Sequence, residues 1–288
     1  MPLVPAKCTN CGANLTIDST KDAAICEYCH TPFVTEKAIN NYSIQNSVVH
    51  IYQEAEHREE FEIIAGTLVG YYGKDKHVKI PKGITKIGRQ CFRNLAIEYV
   101  DFNDEIISIG GGAFAGCDCL KSIEIPNTVT EVEGMAFSCC TALEYASYPK
   151  SITNCAGSTF EYCTNLKEIK LEEGVKAIPV DFARGCTSLK KIKLPNSINY
   201  IYTQAFFGSG LTQVIIPESV KMIDRKAFSQ CSNLSTVYLK TKTNAIAVDA
   251  FLDTPWQVQK WISEGKCAKC GGKKVLGQCI NCFFSLPD

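Results

Sequence analysis

Between Phe61 and Leu252 the apolar positions form one phrase, rewritten at a nearly fixed interval. Its most regular mark is a phenylalanine: Phe92, Phe114, Phe137, Phe160, Phe182, Phe206, Phe228 and Phe251, with gaps of 22, 23, 23, 22, 24, 22 and 23 residues. Units open on two aliphatics three positions apart, such as Ile84 and Ile87, Val129 and Val132, or Val220 and Ile223. A small residue and the Phe follow, then usually a Cys three positions later, then a Leu. The unit closes on an alternating stretch that ends at proline in Ile123-Glu124-Ile125-Pro126, Ile192-Lys193-Leu194-Pro195 and Val214-Ile215-Ile216-Pro217. Alternation with period two predicts a short strand, and proline, having no N–H to donate, ends its ladder. A unit of this length holds a strand and a short helical turn but no full crossover helix. Each must therefore bury its Phe and Leu against its neighbours, giving one continuous linear core.

Two units depart from the phrase. Phe182 stands four residues before Cys186 instead of three, and the Phe206 unit is one residue short at Gly208-Ser209-Gly210-Leu211. Both read as one-residue changes absorbed in turns. Before the array, residues 40–52 alternate in part and suggest a short strand or a packed linker, and Glu54 to Glu60 reads as a solvated charged patch. The stretch from Phe61 to Tyr72 predicts an opening hairpin. After the array, Thr254, Pro255, Gln257 and Gly265 fall at N-cap, N1, N3 and just past the end of a helix. Trp256, Trp261 and Ile262 on that helix are placed to cover the open end of the core.

The chain of 288 residues has 17 cysteines, and they divide by spacing. Cys8-x-x-Cys11 and Cys26-x-x-Cys29 are 14 residues apart, and Cys267-x-x-Cys270 and Cys279-x-x-Cys282 are eight apart. Four thiolates in two knuckles supply the tetrahedral sulfur cage that zinc takes, and the metal supplies folding energy that such small modules lack. Gly12 and Gly271 follow their knuckles, where freedom to take positive φ turns amides toward the sulfurs. Both modules resemble zinc ribbons and predict two structural Zn2+ sites, with all eight of these cysteines as ligands. A dithiol redox site is the competing reading, and it usually takes a single CxxC at a helix start. By contrast, Cys117, Cys140, Cys163, Cys186 and Cys231 hold one repeat position and read as small buried groups filling one slot per unit.

The iterated unit Ile-Pro-x-x-Val-Thr-x-Ile-Gly-x-x-Ala-Phe-x-x-Cys-x-x-Leu-x-x-Ile resembles the bacterial BspA-type leucine-rich repeat. The resemblance covers residues 61 to about 252 and is strongest from Ile125 to Ile198. It implies a curved right-handed solenoid with a strand-lined concave face, and a binding protein; many members of that family are surface or secreted adhesins. The expected fold is an α/β repeat: a leucine-rich-repeat solenoid of short strands and short helical turns, flanked by two small zinc ribbons. Residues 1–35 form the first ribbon, 36–60 a linker or short strand, 61–265 the solenoid with its hairpin and capping helix, and 266–288 the second ribbon.

Charge narrows the partner. Thirty basic and thirty acidic side chains cancel, so no global field favours nucleic acid or an anionic membrane. No apolar run approaches the length of about 18 residues that a membrane span needs. The first residues lack a charged segment followed by an apolar one, so no secretory signal is read there. With so many cysteines, this points to a reducing cytoplasm. The four histidines, His30, His50, His57 and His77, all precede the repeats, and Gly110-Gly111-Gly112 lacks the Lys-Ser/Thr ending of a phosphate loop. The expectation is a protein without enzymatic activity.

Strand positions between core aliphatics point outward. They run Tyr99 and Asp101, Ser122 and Glu124, Tyr145 and Ser147, Glu168 and Lys170, Lys191 and Lys193, Gln213 and Ile215, Thr236 and Tyr238. The strip starts acidic, turns basic and ends uncharged. Its charged and aromatic members Tyr99, Asp101, Glu124, Tyr145, Glu168, Lys170, Lys191, Lys193 and Tyr238 are the candidate contacts for a protein or peptide partner. The alternative is a nucleic-acid-binding protein working through its ribbons, the second of which carries Lys266, Lys269, Lys273 and Lys274.

Overall fold

The computed structural model describes residues 60–243, 245–264, 266 and 271, with only the backbone of 261 and 262. Beyond them it describes the backbone of the strands Leu3–Lys7, Asn14–Asp18, Ala23–Ile25, Pro32–Val34, Lys274–Val275 and Gln278–Cys279. The chain divides into two compact units, Met1–Arg58 and Glu59–Asp288. In the first, Leu3–Lys7 pairs antiparallel with Asn14–Asp18, and Ala23–Ile25 with Pro32–Val34.

The second unit opens on a hairpin of Phe61–Ile64 and Thr67–Tyr71. Ala65 and Gly66 both take positive φ at its tip, the twist that joins antiparallel strands in two residues. From there the chain coils repeatedly, and its strands fall into two ladders, with most coils giving one to each. The first ladder stacks Thr67–Tyr71, Lys86–Ile87, Ser108–Ile109, Glu131–Val132 and Asn154–Cys155 in parallel, then resumes with Ala177–Ile178, Tyr200–Ile201 and Met222–Ile223. The second is in three pieces: His77–Lys79 on Tyr99–Asp101; Ser122–Glu124, Tyr145–Tyr148 and Glu168–Leu171; and Gln213–Ile216 on Thr236–Leu239.

The turn between the ladders differs from the expected short helical turn. Two left-handed residues four apart flank seven of the eight Phe slots, for example Gln90 and Asn94, Met135 and Cys139, Ser158 and Tyr162, and Phe251 has Asp253 alone. An α-helix does not accommodate such residues. Alternate amides instead reach across to the next coil: Gln90 N–H to Gly111 O at 3.0 Å, Phe92 to Ala113 at 2.8 Å, Asn94 to Ala115 at 2.9 Å. The turns thus form a third hydrogen-bonded side of the coil. Among the described residues the one α-helix is Pro255–Ser263. Thr254 Oγ1 caps it by accepting from Gln257 N–H at 3.1 Å, and the Trp256 ring lies 4.8 Å from Phe251 at the end of the core. The side chains of Trp261 and Ile262 lie outside the described residues.

All eight repeat phenylalanines are buried. Phe92, Phe114, Phe137 and Phe160 stack with centroids 4.8, 5.1 and 5.7 Å apart, and Phe206, Phe228 and Phe251 stack at 5.2 and 5.1 Å. Phe182 breaks the run, meeting Phe160 and Phe206 edge-on at 5.4 and 6.4 Å.

The cause is not the one-residue change expected from the spacing. Asp181 and Gly185 are the left-handed pair of that coil, so the Phe slot between them is residue 183. The ladder bonds agree, since Phe160 N–H meets Phe182 O as Phe137 N–H meets Thr159 O. Phe182-Ala183 is therefore Ala-Phe written in reverse, with no residue gained. The misplaced ring also packs edge-on against Tyr148 at 5.2 Å.

Both ladders open beside this coil: Asn154–Cys155 does not pair with Ala177–Ile178, nor Glu168–Leu171 with residues 191–194. The strand expected at Ile192-Lys193-Leu194 is accordingly absent as a hydrogen-bonded element. Its alternation survives, with Ile192 and Leu194 buried and Lys191 and Lys193 exposed.

The repeated cysteines do more than fill space. Each thiol donates to the carbonyl of the preceding coil's turn: Cys117 to Phe92 at 3.0 Å, and Cys140 to Phe114, Cys163 to Phe137, Cys186 to Phe160 and Cys231 to Phe206, each at 3.1 Å. Ser209 takes this slot in the short unit, and Thr254 takes it at the helix cap, where its hydroxyl donates to Phe251 O at 2.7 Å. The short unit closes through Gly210, where a Cβ would lie 1.9 Å from Thr187 O.

Candidate functional site

The second ladder sets its outward side chains in register. Lys79 stands beside Asp101, Glu124 beside Ser147, Ser147 beside Lys170, and Ile215 beside Tyr238. With Lys193 one repeat after Lys170, one residue per coil forms a row: Lys79, Asp101, Glu124, Ser147, Lys170, Lys193, Ile215, Tyr238. A parallel row, two residues earlier on each strand, reads His77, Tyr99, Ser122, Tyr145, Glu168, Lys191, Gln213, Thr236. Buried neighbours such as Val78, Ile123, Ala146, Ile169, Ile192 and Val214 hold these residues outward.

Two adjoining grooves run along this face. The first, about 680 Å³, is lined by Asp101, Glu124, Tyr145, Ser147 and Lys170, with Pro126 and Pro149 beside it. The second, about 500 Å³, lies where the ladder is open, between Glu168 and Lys170 on one side and Lys191, Lys193 and Pro195 on the other. Lys170 lines both. Seven of the nine expected contact residues therefore line the grooves. Tyr99 and Tyr238 lie outside them, Tyr99 edge-on to His77 at 5.8 Å and Tyr238 exposed near the end of the rows.

The charges are largely uncommitted. Among the described residues Glu124, Glu168, Lys170, Lys191 and Lys193 make no ion pair within 4.0 Å and no side-chain hydrogen bond. Asp101 is the exception, with His77 Nε2 2.9 Å from its Oδ2. Burial, then the charges of Glu124 and Glu168, raises the Tyr145 hydroxyl above its ordinary pKa, so it stays a neutral donor. Ser147 Oγ accepts from Ile125 N–H at 3.0 Å and ties two coils together at the middle of the row.

Spacing alone placed most of these residues, Ser147 included, on the outward face; it did not single out Ser147 as a contact and missed Pro126, Pro149 and Pro195 as lining groups. The stride of 23 from Asp101 to Lys193 carried that signal, because strands in register stack equivalent positions.

The eight expected zinc ligands lie outside the described residues, apart from the backbone of Cys279 in its strand. Among the described residues no group of His, Cys, Asp and Glu is arranged to hold a metal ion. No helix among them is long and apolar enough to cross a membrane.

The family profile "BspA type Leucine rich repeat region" matches residues 85–182 and 158–271, in six copies. The chain belongs to the BspA-type leucine-rich repeat family. Among solved leucine-rich repeat structures, a leucine rich cell surface protein from Faecalibacterium prausnitzii is 29% identical with a TM-score of 0.55, over 64% of this chain and 53% of that one. A leucine-rich repeat protein from Bacteroides ovatus is 28% identical with a TM-score of 0.51, over 62% and 52%. One from Eubacterium ventriosum, 22% identical with a TM-score of 0.52 over 62% and 59%, shares the fold. The chain thus spans about half the length of the first two. No curated protein sequence matches it.

Proposed function

We propose that this BspA-type repeat protein is a non-enzymatic scaffold that binds another protein along the outward face of its second ladder. The observation that carries this reading is the pair of adjoining grooves lined by side chains with unspent charge. Lysines and carboxylates already paired within the fold would have to break those pairs to meet a partner; Glu124, Glu168, Lys170, Lys191 and Lys193 do not. The test is affinity capture from native lysate with the parent and with Lys191→Glu/Lys193→Glu. Both positions are exposed, so the variant should fold. Proteins captured by the parent should be lost from the variant, and an unchanged set would refute the assignment.

The two ends are proposed to be structural zinc ribbons. In support, Cys8 and Cys11 fall in the segment joining Leu3–Lys7 to Asn14–Asp18, and Cys26 and Cys29 in that joining Ala23–Ile25 to Pro32–Val34. Two hairpins each carrying a CxxC are the arrangement a four-thiolate site uses. Bound metal would hold the knuckles together there and supply no chemistry of its own. Elemental analysis of purified protein should find two zinc ions per chain, and a metal-free, fully folded protein would reject the sites. A cytoplasmic location is the matching proposal, supported by the nine free thiols from Cys91 to Cys231. Labelling cell fractions with an antibody to the chain would check it.

A further inference from the structure

The row through Asp101, Glu124, Ser147, Lys170, Lys193, Ile215 and Tyr238 has an order as well as a composition. An acidic pair is followed by a neutral residue, then a basic pair, then an apolar pair whose members are 49% and 58% exposed. Hydrogen-bonded strands lie about 4.8 Å apart, the least spacing of neighbouring coils where the ladder is open, and an extended chain rises about 3.3 Å per residue. The centre of the acidic pair is three coils from that of the basic pair, roughly 14 Å or about four residues of extended peptide. The basic pair is two coils from the apolar pair, roughly 10 Å or about three residues.

We infer that the ligand of this face is an extended polypeptide segment of about nine residues running along the stack, across the strands. Its basic residues lie over Asp101 and Glu124, its acidic residues over Lys170 and Lys193, and its apolar residues against Ile215 and Tyr238. This deepens the assignment of the face as a binding surface and rests on it.

Two other occupants fit less well. A polyanion such as nucleic acid would be repelled by Asp101, Glu124 and Glu168 on the same strip. A second copy of the chain, turned end for end about Ser147, would match acid to base, because the row is antisymmetric there. The matched strip, however, is about 24 Å by 12 Å, or roughly 300 Å², against about 800 Å² per partner in a stable interface. A single extended segment can fill the grooves at Lys170, where another sheet face would bridge over them.

The test uses the full chain and two fluorescein-labelled peptides of one composition. Arg-Lys-Ser-Gly-Glu-Asp-Ser-Leu-Tyr has the inferred order when Arg-Lys lies over Asp101 and Glu124 and Leu-Tyr against Ile215 and Tyr238. Glu-Asp-Ser-Gly-Arg-Lys-Ser-Leu-Tyr exchanges the charged pairs; turned end for end it meets both charged pairs only by leaving Leu-Tyr beyond the acidic end, away from Ile215 and Tyr238. Fluorescence anisotropy should show the first binding at least about tenfold more tightly, since only it meets both charged pairs and buries Leu-Tyr against Ile215 and Tyr238 at once. The variant Asp101→Lys/Glu124→Lys/Lys170→Glu/Lys193→Glu should invert that preference, with unchanged circular dichroism. Equal binding of both peptides would overturn the ordering and leave the face itself supported. Binding of neither, in a protein that still loses its captured partners on Lys191→Glu/Lys193→Glu, would overturn the ordered segment alone. Self-association in sedimentation that the same charge reversals abolish would overturn it in favour of a second copy.

Discussion

Replacing Phe137 with alanine tests whether the ring column is the structural core. The ring is 0% exposed and lies between Phe114 at 5.1 Å and Phe160 at 5.7 Å, with interplanar angles of 7° and 20°. Removing a buried Phe costs about 3–5 kcal/mol through lost transfer and an unfilled cavity. The upper part of that range applies here, because two ring contacts go at once and the backbone cannot collapse to close the gap. Phe137 N–H is bonded to Thr159 O at 3.0 Å, and Phe137 O accepts from the Cys163 thiol.

Such a loss is large against a typical total of about 5–15 kcal/mol. In an array where each coil touches only its neighbours, it should also weaken cooperation between the two halves. Urea unfolding followed by circular dichroism measures the loss, and hydrogen exchange should show amides of the adjoining coils opening first. Met135→Ala, two residues away and 56% exposed, is the control and should change stability by less than about 0.5 kcal/mol. A loss below about 1.5 kcal/mol for Phe137→Ala would refute the ring column as the core.

Three further outcomes follow from the geometry. Brief alkylation of native protein read by mass spectrometry should modify exposed Cys139 and spare Cys186 and Cys231, whose thiols burial pushes up to about 12 and about 11; equal labelling would contradict the thiol–carbonyl ladder. Hydrogen bonds from Lys121 and Lys76 lower the Glu98 carboxyl from 4.5 to about 2, so its contribution is present above pH 4.5 and lost as pH falls toward 2. Glu98→Gln should flatten the acid limb of stability in that window, and an unaltered limb would remove Glu98 from the account. Thr254→Ala should cost about 1 kcal/mol, read by thermal melting, and should change the fluorescence of Trp256 as the helix loosens from Phe251; no change in either would mean the cap is not formed.

Much of this was legible because a repeat states its pattern many times. The aliphatic pairs, the Phe slots and the outward strand positions all lie where their period places them, since stacked coils put equivalent residues at equivalent depth. The helical turn was misread because spacing cannot tell a helical turn from one closed by left-handed residues. Gln90, Met135 and Tyr162 carry no sequence mark of positive φ. The Phe182-Ala183 exchange was misread for a related reason: counting from Phe to Cys treats an exchanged pair as a lengthened turn.

By itself, then, the sequence determined the period, the family, the buried column and the strip of outward residues, because hydrophobic burial acts residue by residue and alternation fixes the face. Only the tertiary structure decided where the ladders open, that Lys170 stands on both grooves, and that the cysteine thiols bind the preceding coil. Those features depend on how one coil seats on the next. A single reversed dipeptide turns a ring edge-on, and both ladders are open beside that coil, where the second groove lies between Lys170 and Lys193.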